Sequence, residues 1–333
     1  MAISTTATTS EAAQERGQRF SAGNFTALGS LSLKSRYVME GLLHGLHKSP
    51  FHGLSVEFNE YRDYQPGDDL RHLDWRLYAR SDRLAIKKFE QETNANAYLL
   101  CDTSASMTYK GSRAWGSKLE AAAICAAALG WMLLHQHDAV GWMAAAAANL
   151  PGPAGGAGTG EGAAQFDYLA PGQRRSQFGA LLGRLERMQG GSGEGRFDAL
   201  LETAARLIRR RSIVFIISDL LEDAATMRDA CRRLRYSGHD CVVIQILDPD
   251  EIDFPFEGDV TFEDLETSAR RQVRTSEART LYLRRLQAHM DAHHALYREL
   301  EFTHALLRTD ADPAAALLPC LLRHTASRAG TGR

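Results

Sequence analysis

Three oxygen-bearing side chains occupy alternate positions in Asp102-Thr103-Ser104-Ala105-Ser106, and a further carboxylate, Asp219, ends the apolar run at 213–218. A tight loop leaving a strand can turn one carboxylate and two hydroxyls at this spacing toward a common point. A second carboxylate from a neighbouring strand then gives a set of hard oxygen donors. Such a set suits Mg²⁺ or Mn²⁺. Mg²⁺ takes near-octahedral oxygen at about 2.1 Å and keeps several waters where the protein cage is incomplete. An incomplete cage leaves a coordination position open to a carboxylate from another molecule.

For these four residues to meet, Asp102 and Asp219 must sit at the ends of adjacent strands. Residues 97–101 (Ala-Tyr-Leu-Leu-Cys) make a short apolar strand running into Asp102. The continuous apolar runs at 213–218 and 241–247 are the mark of strands buried on both faces. Helical spacing is predicted over 118–135, 176–188, 197–210, 224–237 and 276–300, with a last helix at 313–323. Further strands are predicted at 165–169 and 302–307, and at 139–148, where the alanines by themselves favour helix. Strands alternating with helices imply an α/β fold, a mostly parallel sheet with helices on both faces. Ligands bind at the carboxyl ends of the strands in such sheets, which is where Asp102 and Asp219 fall.

The domain organisation read from pattern is a disordered N-terminus at 1–25, a helical segment and β-rich module at 26–92, the α/β domain at 93–325 and a disordered tail at 326–333. Apolar positions at helical spacing give one or two helices in 26–47, and two alternating stretches flank turn signals in 48–92. A Gly/Pro/Ala loop at 151–162 joins two strands.

Asp102, Ser104 and Ser106, followed by Ser218-Asp219, resemble the metal-ion-dependent adhesion site of von Willebrand A domains. A second set of residues narrows the resemblance. The spaced positions Arg62, Tyr64, Gly67, Asp68, Arg71, Asp74, Trp75, Ala79 and Arg80, with Lys87, Phe89 and Glu92, look like the signature of the bacterial domain-of-unknown-function family numbered 58. So do Asp248-Pro249, Glu251 and Phe254-Pro255, then Phe262 with Asp264-Leu265-Glu266. The resemblance spans about residues 40–323. It implies a von Willebrand A-like, Rossmann-type domain behind a β-rich element. It also implies partnership with a MoxR-type AAA+ ATPase, beside which such proteins are typically encoded. In one respect the chain departs from the adhesion-site pattern. A threonine is usual in the loop that here reads Gly190-Gly191-Ser192-Gly193-Glu194-Gly195-Arg196, and Gly195 or Arg196 stands in its place. Ser192 is the candidate substitute, the glycines allowing the loop to fold inward. Asp198 is a second candidate, though an acid in the first turn of a helix has a structural reason to be there.

Other residues point to blander roles. Arg62, Arg71, Asp74, Trp75, Arg80 and Glu92 read as an ion network joining the β-rich module to the main domain, or as a docking face. Alternating charge favours the network, with Trp75 as a packing anchor. His289 and His293 are one helical turn apart, but the spacing lacks the glutamate of a zinc protease and a third ligand. With 39 basic and 41 acidic side chains, the chain has no global charge for binding nucleic acid. Its five scattered cysteines, with no CxxC pair, fit a reducing compartment. The N-terminus has no secretory apolar stretch and no segment reaches the length of a membrane span, so a cytoplasmic location is expected. Neither a phosphate-binding GxxxxGK[ST] loop nor a GxSxG elbow is present.

The function expected is therefore an interaction module or adaptor, not an enzyme, holding Mg²⁺ or Mn²⁺ and capturing an acidic group of its partner. The alternatives are a metal-assisted phosphoester hydrolase using Asp102 and Asp219, and a structural scaffold with a vestigial metal site.

Overall fold

Strands without polar alternation must be covered on both faces, and the two most apolar runs of this chain lie at the centre of its sheet. The computed structural model describes residues 20–47, 61–63, 85–87, 96–145, 166–190 and 197–331. Two short helices come first, α1 (Ala22–Ala27) and α2 (Leu31–His47). Strands β1 (Tyr61–Asp63) and β2 (Ala85–Lys87) pair antiparallel, with Arg62 opposite Ile86. The main domain then runs β3 (Asn96–Cys101), α3 (Lys118–His135), β4 (Ala139–Ala145), β5 (Phe166–Gly172), α4 (Arg175–Glu186), α5 (Phe197–Leu207) and β6 (Ser212–Ser218). It continues with α6 (Ala224–Tyr236), β7 (Asp240–Leu247), α7 (Pro249–Asp253), the hairpin β8 (Asp259–Glu263) and β9 (Arg270–Arg274), α8 (Thr275–Glu299), β10 (Thr303–Arg308) and α9 (Pro313–Thr331).

Six strands form one sheet in the order β10-β7-β6-β3-β4-β5, parallel except for the edge strand β5. The period of two divides each central strand between two cores. Leu99, Phe215 and Ile244 face the layer that includes α2, α3 and α9, while Leu100, Ile216 and Val243 face that of α5, α6 and α8. This is the α/β arrangement expected from the sequence. The chain leaves β3 toward β4 on one side and returns through β6 on the other, so the switch point of the topology lies between β3 and β6.

The structure departs from the sequence reading at several places. Residues 20–27 are ordered against the core, not part of a disordered N-terminus: Phe25 is 2% exposed and its ring lies 4.9 Å from that of Trp115. One aromatic anchor and a Ser21 cap hold a six-residue helix too short to show a period. The expected disordered tail at 326–333 is helical as far as Thr331, because alanines at 326 and 329 extend α9. Residues 139–145 are strand despite their alanines, since pairing on both sides overrides intrinsic propensity. The motif at 262–266 falls on the end of β8 and the turn into β9; both strands are short and largely exposed. Helix α3 is the one described helix apolar and long enough to cross a membrane, and 78% of it is buried inside the protein. The loop at 151–162 and most of the β-rich module lie outside the described residues.

Candidate metal-ion site

The parallel register sets Cys101 beside Ile217, and the Asp102 N–H donates to the Ile217 carbonyl at 2.9 Å. Asp102 and Ser218-Asp219 thereby leave adjacent strands side by side at the switch point. The Asp102 carboxylate is buried and tightly held: Ser218 Oγ donates to its Oδ2 at 2.5 Å, and the Ser104 N–H to its Oδ1 at 2.9 Å. The second of these bonds folds the loop back on itself. It leads into a short 3₁₀ turn, Ala105–Thr108, which brings Ser104 Oγ and Ser106 Oγ to 3.0 Å of each other. Ser106 Oγ then donates to Asp219 Oδ2 at 2.8 Å. The four residues picked out by spacing are thus joined in one hydrogen-bonded cluster.

Electrostatics within the cluster are strained toward negative charge. Burial, and next the neighbouring Asp219, push the Asp102 carboxyl up to about 7, against the lowering effect of its bonds to Ser218 and Ser104. A site that raises a carboxyl in this way favours a cation or a proton. The donors are carboxylate and hydroxyl oxygens, the chemistry Mg²⁺ prefers, and Asp102, Ser104, Ser106 and Asp219 fit such an ion. Among the described residues, no group of three or more His, Cys, Asp or Glu side chains is placed to hold a metal, so the hydroxyls are needed to complete this donor set.

A residue that spacing did not reveal supplies positive charge from within the chain. Lys118, the first residue of α3, is wholly buried, with Nζ 2.8 Å from Asp219 Oδ2 and 2.7 Å from Glu251 Oε1. Burial pulls its pKa down, but the ion pairs with Asp219 and Glu251 outweigh this and hold it above its usual value. A lysine at a helix N-terminus is opposed by the helix dipole, so the two carboxylates account for its place there. Glu251 is raised, chiefly by its own burial. Its second oxygen accepts the Asp248 N–H at 2.8 Å, as one half of the capping box of α7.

Asp248 fixes the loop between the site and α3. Its Oδ2 accepts from Gly111 N–H at 2.9 Å and Thr309 Oγ1 at 3.0 Å, and a Cβ at Gly111 would lie 2.3 Å from its Oδ1. Glu266, in the β8–β9 turn, accepts the Ser106 N–H at 3.0 Å. Glu251 and Glu266 had been visible as members of a spaced motif without a role. Lys118 was signalled by its charge alone, at the head of an alanine-rich helix.

The remaining candidates are placed as follows. Ser192 lies outside the described residues, as do Arg71, Asp74, Trp75, Arg80 and Glu92, and Arg62 is described as a position on β1. Asp198 accepts from its neighbour Ala199 N–H at 2.7 Å, as a first-turn acid. His289 and His293 bond to backbone carbonyls of the loop after β6, at Leu220 (2.7 Å) and Glu222 (2.8 Å), and serve to hold α8 against that loop.

A mostly parallel sheet with helices on both faces, and this cluster at its switch point, is the α/β arrangement that the resemblance to von Willebrand A domains implies. Residues 60–293 match the family described as protein of unknown function DUF58, and the chain belongs to that family. Uncharacterized proteins of Mycobacterium tuberculosis and Mycobacterium bovis are each 29% identical to it over 304 residues, covering 91% of this chain and 89% of theirs. Among solved structures, it is similar to an aerotolerance-related membrane protein from Bacteroides fragilis (17% identity, TM-score 0.41, 70% of this chain and 99% of that one). It is also similar to BatB from Bacteroides thetaiotaomicron (14%, TM-score 0.37, 70% and 99%) and to the SpRpn10 VWA domain (15%, TM-score 0.29, 46% and 75%).

Proposed function

We propose that this protein is a cytoplasmic, metal-dependent interaction module, an adaptor that captures an acidic group of a partner through the Asp102, Ser104, Ser106 and Asp219 cluster. The observation that carries the reading is the pairing of Asp102 and Asp219 at the topological switch point, with two hydroxyls joined to them. Asp102, Ser104 and Ser106 would hold Mg²⁺ or Mn²⁺, with Asp219 behind them. When bound, the ion supplies an open coordination position suited to a carboxylate. The partner proposed is a MoxR-type AAA+ ATPase. The five buried free thiols accord with a reducing compartment. Binding is proposed in preference to catalysis because the titratable groups of the cluster are engaged with one another.

Lys118 favours a second reading. Its ammonium already bonds to Asp219, so the chain can act as a scaffold in which a lysine stands in for much of the ion's charge. A pull-down of a purified MoxR-type ATPase separates the two. Capture in Mg²⁺ that is lost in EDTA and in Asp102→Ala supports the metal-dependent module. Capture indifferent to both supports the scaffold, and no capture under any condition removes this partner.

A further inference from the structure

Glu266 reaches the cluster from a residue 160 positions away in sequence, its Oε1 accepting the Ser106 N–H at 3.0 Å. The hydroxyl of the same serine bonds to Asp219 at 2.8 Å. An exposed carboxylate therefore meets the cluster at Ser106, while the buried Lys118 meets it at Asp219.

The turn is shaped to hold it there. Asp264 Oδ1 accepts from the Glu266 N–H at 2.9 Å, and its Oδ2 from Thr267 Oγ1 at 2.8 Å. Ser268 closes the turn in the left-handed region at φ 57°, its N–H bonding to the Asp264 carbonyl at 2.8 Å. The hairpin is anchored by aromatic packing close to its turn, at Phe262 of β8. The Phe262 ring lies 5.2 Å from Phe256 and 5.8 Å from Phe254, and Phe254 lies 4.9 Å from Tyr282. Tyr282 in turn donates to the Glu251 carbonyl at 2.9 Å, which ties this packing to the residue that grips Lys118. Beyond Phe262 the turn is open to solvent: Leu265 is 43% exposed, and β8 and β9 pair with each other alone among the described strands. An anchored strand thus carries an exposed carboxylate four residues further along a hydrogen-bonded turn.

We propose that Glu266 is a built-in acidic occupant of the cluster's outer face, standing where a partner's carboxylate arrives, and that a partner binds by displacing it. This rests on the metal-dependent reading above and adds to it a means of restraint. A tethered carboxylate competes at an effective concentration of mM order or higher, so one weak contact is enough to hold the face closed. The apparent affinity for a partner falls in proportion to the fraction of molecules whose face is free.

The test titrates the full chain, in Mn²⁺, with a fluorescent peptide carrying a single glutamate, alongside thermal unfolding with and without Mn²⁺. Glu266→Ala is expected to bind the peptide about tenfold more tightly than wild type, as it should if the face is free about one-tenth of the time. Glu266→Gln, which keeps the shape and loses the charge, is expected to gain in the same direction. Glu263→Gln removes a carboxylate from the same hairpin, where it pairs with Arg270, and is expected to change nothing. Unchanged affinity in both Glu266 variants, with Mn²⁺ still raising the melting temperature, overturns the occupant and leaves the metal site standing. An equal gain in Glu263→Gln traces the effect to net charge and also overturns it. No Mn²⁺ effect in any variant removes the metal reading and this proposal with it.

Discussion

Lys118 Nζ lies 2.8 Å from Asp219 Oδ2, and both side chains are shut away from solvent. This contact places a fixed positive charge beside a cluster of carboxylates and sets the balance on which metal binding depends. Removing one partner of a buried ion pair leaves the other charge uncompensated, at a cost of about 3–5 kcal/mol. Lys118→Met is therefore expected to lose stability of that order in urea unfolding, and to recover part of it in Mg²⁺. A loss below about 1 kcal/mol would show that Asp219 and Glu251 do not need the ammonium.

The acidity of Asp102 predicts a pH dependence with a definite sign. Its folded carboxyl is raised to about 7, against about 3.9 in an unfolded chain. Between those values the folded protein keeps a proton that the unfolded chain has released. Stability from this group thus falls as pH rises from about 4 to about 7, by up to about 1.4 kcal/mol per pH unit, and is level above. Asp102→Asn should abolish that component, read as the difference between wild-type and variant unfolding free energies across the range. Because a metal ligand must be deprotonated, stabilisation by Mg²⁺ should be larger at pH 8 than at pH 6.

The loop before α3 is held by two buried carboxylates, Asp248 at Gly111 and Asp250 at Ser112. Asp248 accepts from Gly111 N–H, Thr309 Oγ1 and Asp250 N–H, so Asp248→Ala leaves several donors unsatisfied. Each such donor costs about 1–3 kcal/mol when buried. The expected result is a loss of at least about 3 kcal/mol in chemical denaturation, with a weaker response to metal because the loop carrying Ser104 and Ser106 leads into this one. Stability within about 1 kcal/mol of wild type would contradict it.

Phe25 makes a parallel case at the N-terminus. With its ring against Trp115 and 2% of its surface exposed, Phe25→Ala is expected to cost about 3–5 kcal/mol, as for other buried aromatic truncations. A neutral result would place α1 outside the cooperative core.

What could be read from the sequence was what is local. The apolar strands at 97–101 and 213–218 and the loop spacing of Asp102, Ser104 and Ser106 are short-range patterns, and they located the cluster. Asp219 was found because the same strand-end rule applies twice. The contact of Lys118 with Glu251 was not legible, since it depends on how α3 and α7 dock across a separation of 133 residues. The hairpin was missed because the alternation of Val260 and Phe262 with exposed residues spans only the five positions of β8. The helix at 22–27 depends on the packing of Phe25 against Tyr37 and Trp115, distant in sequence, and a six-residue window carries no such signal.

Thermal unfolding of the wild type and of Asp102→Ala, each with and without Mg²⁺ or Mn²⁺, tests the central claim most directly. An ion that binds the folded state alone stabilises it by about 2.7 kcal/mol at a hundredfold excess over its dissociation constant. The account predicts a rise in the wild type that vanishes in Asp102→Ala. An equal rise in both, or none in either, would contradict it.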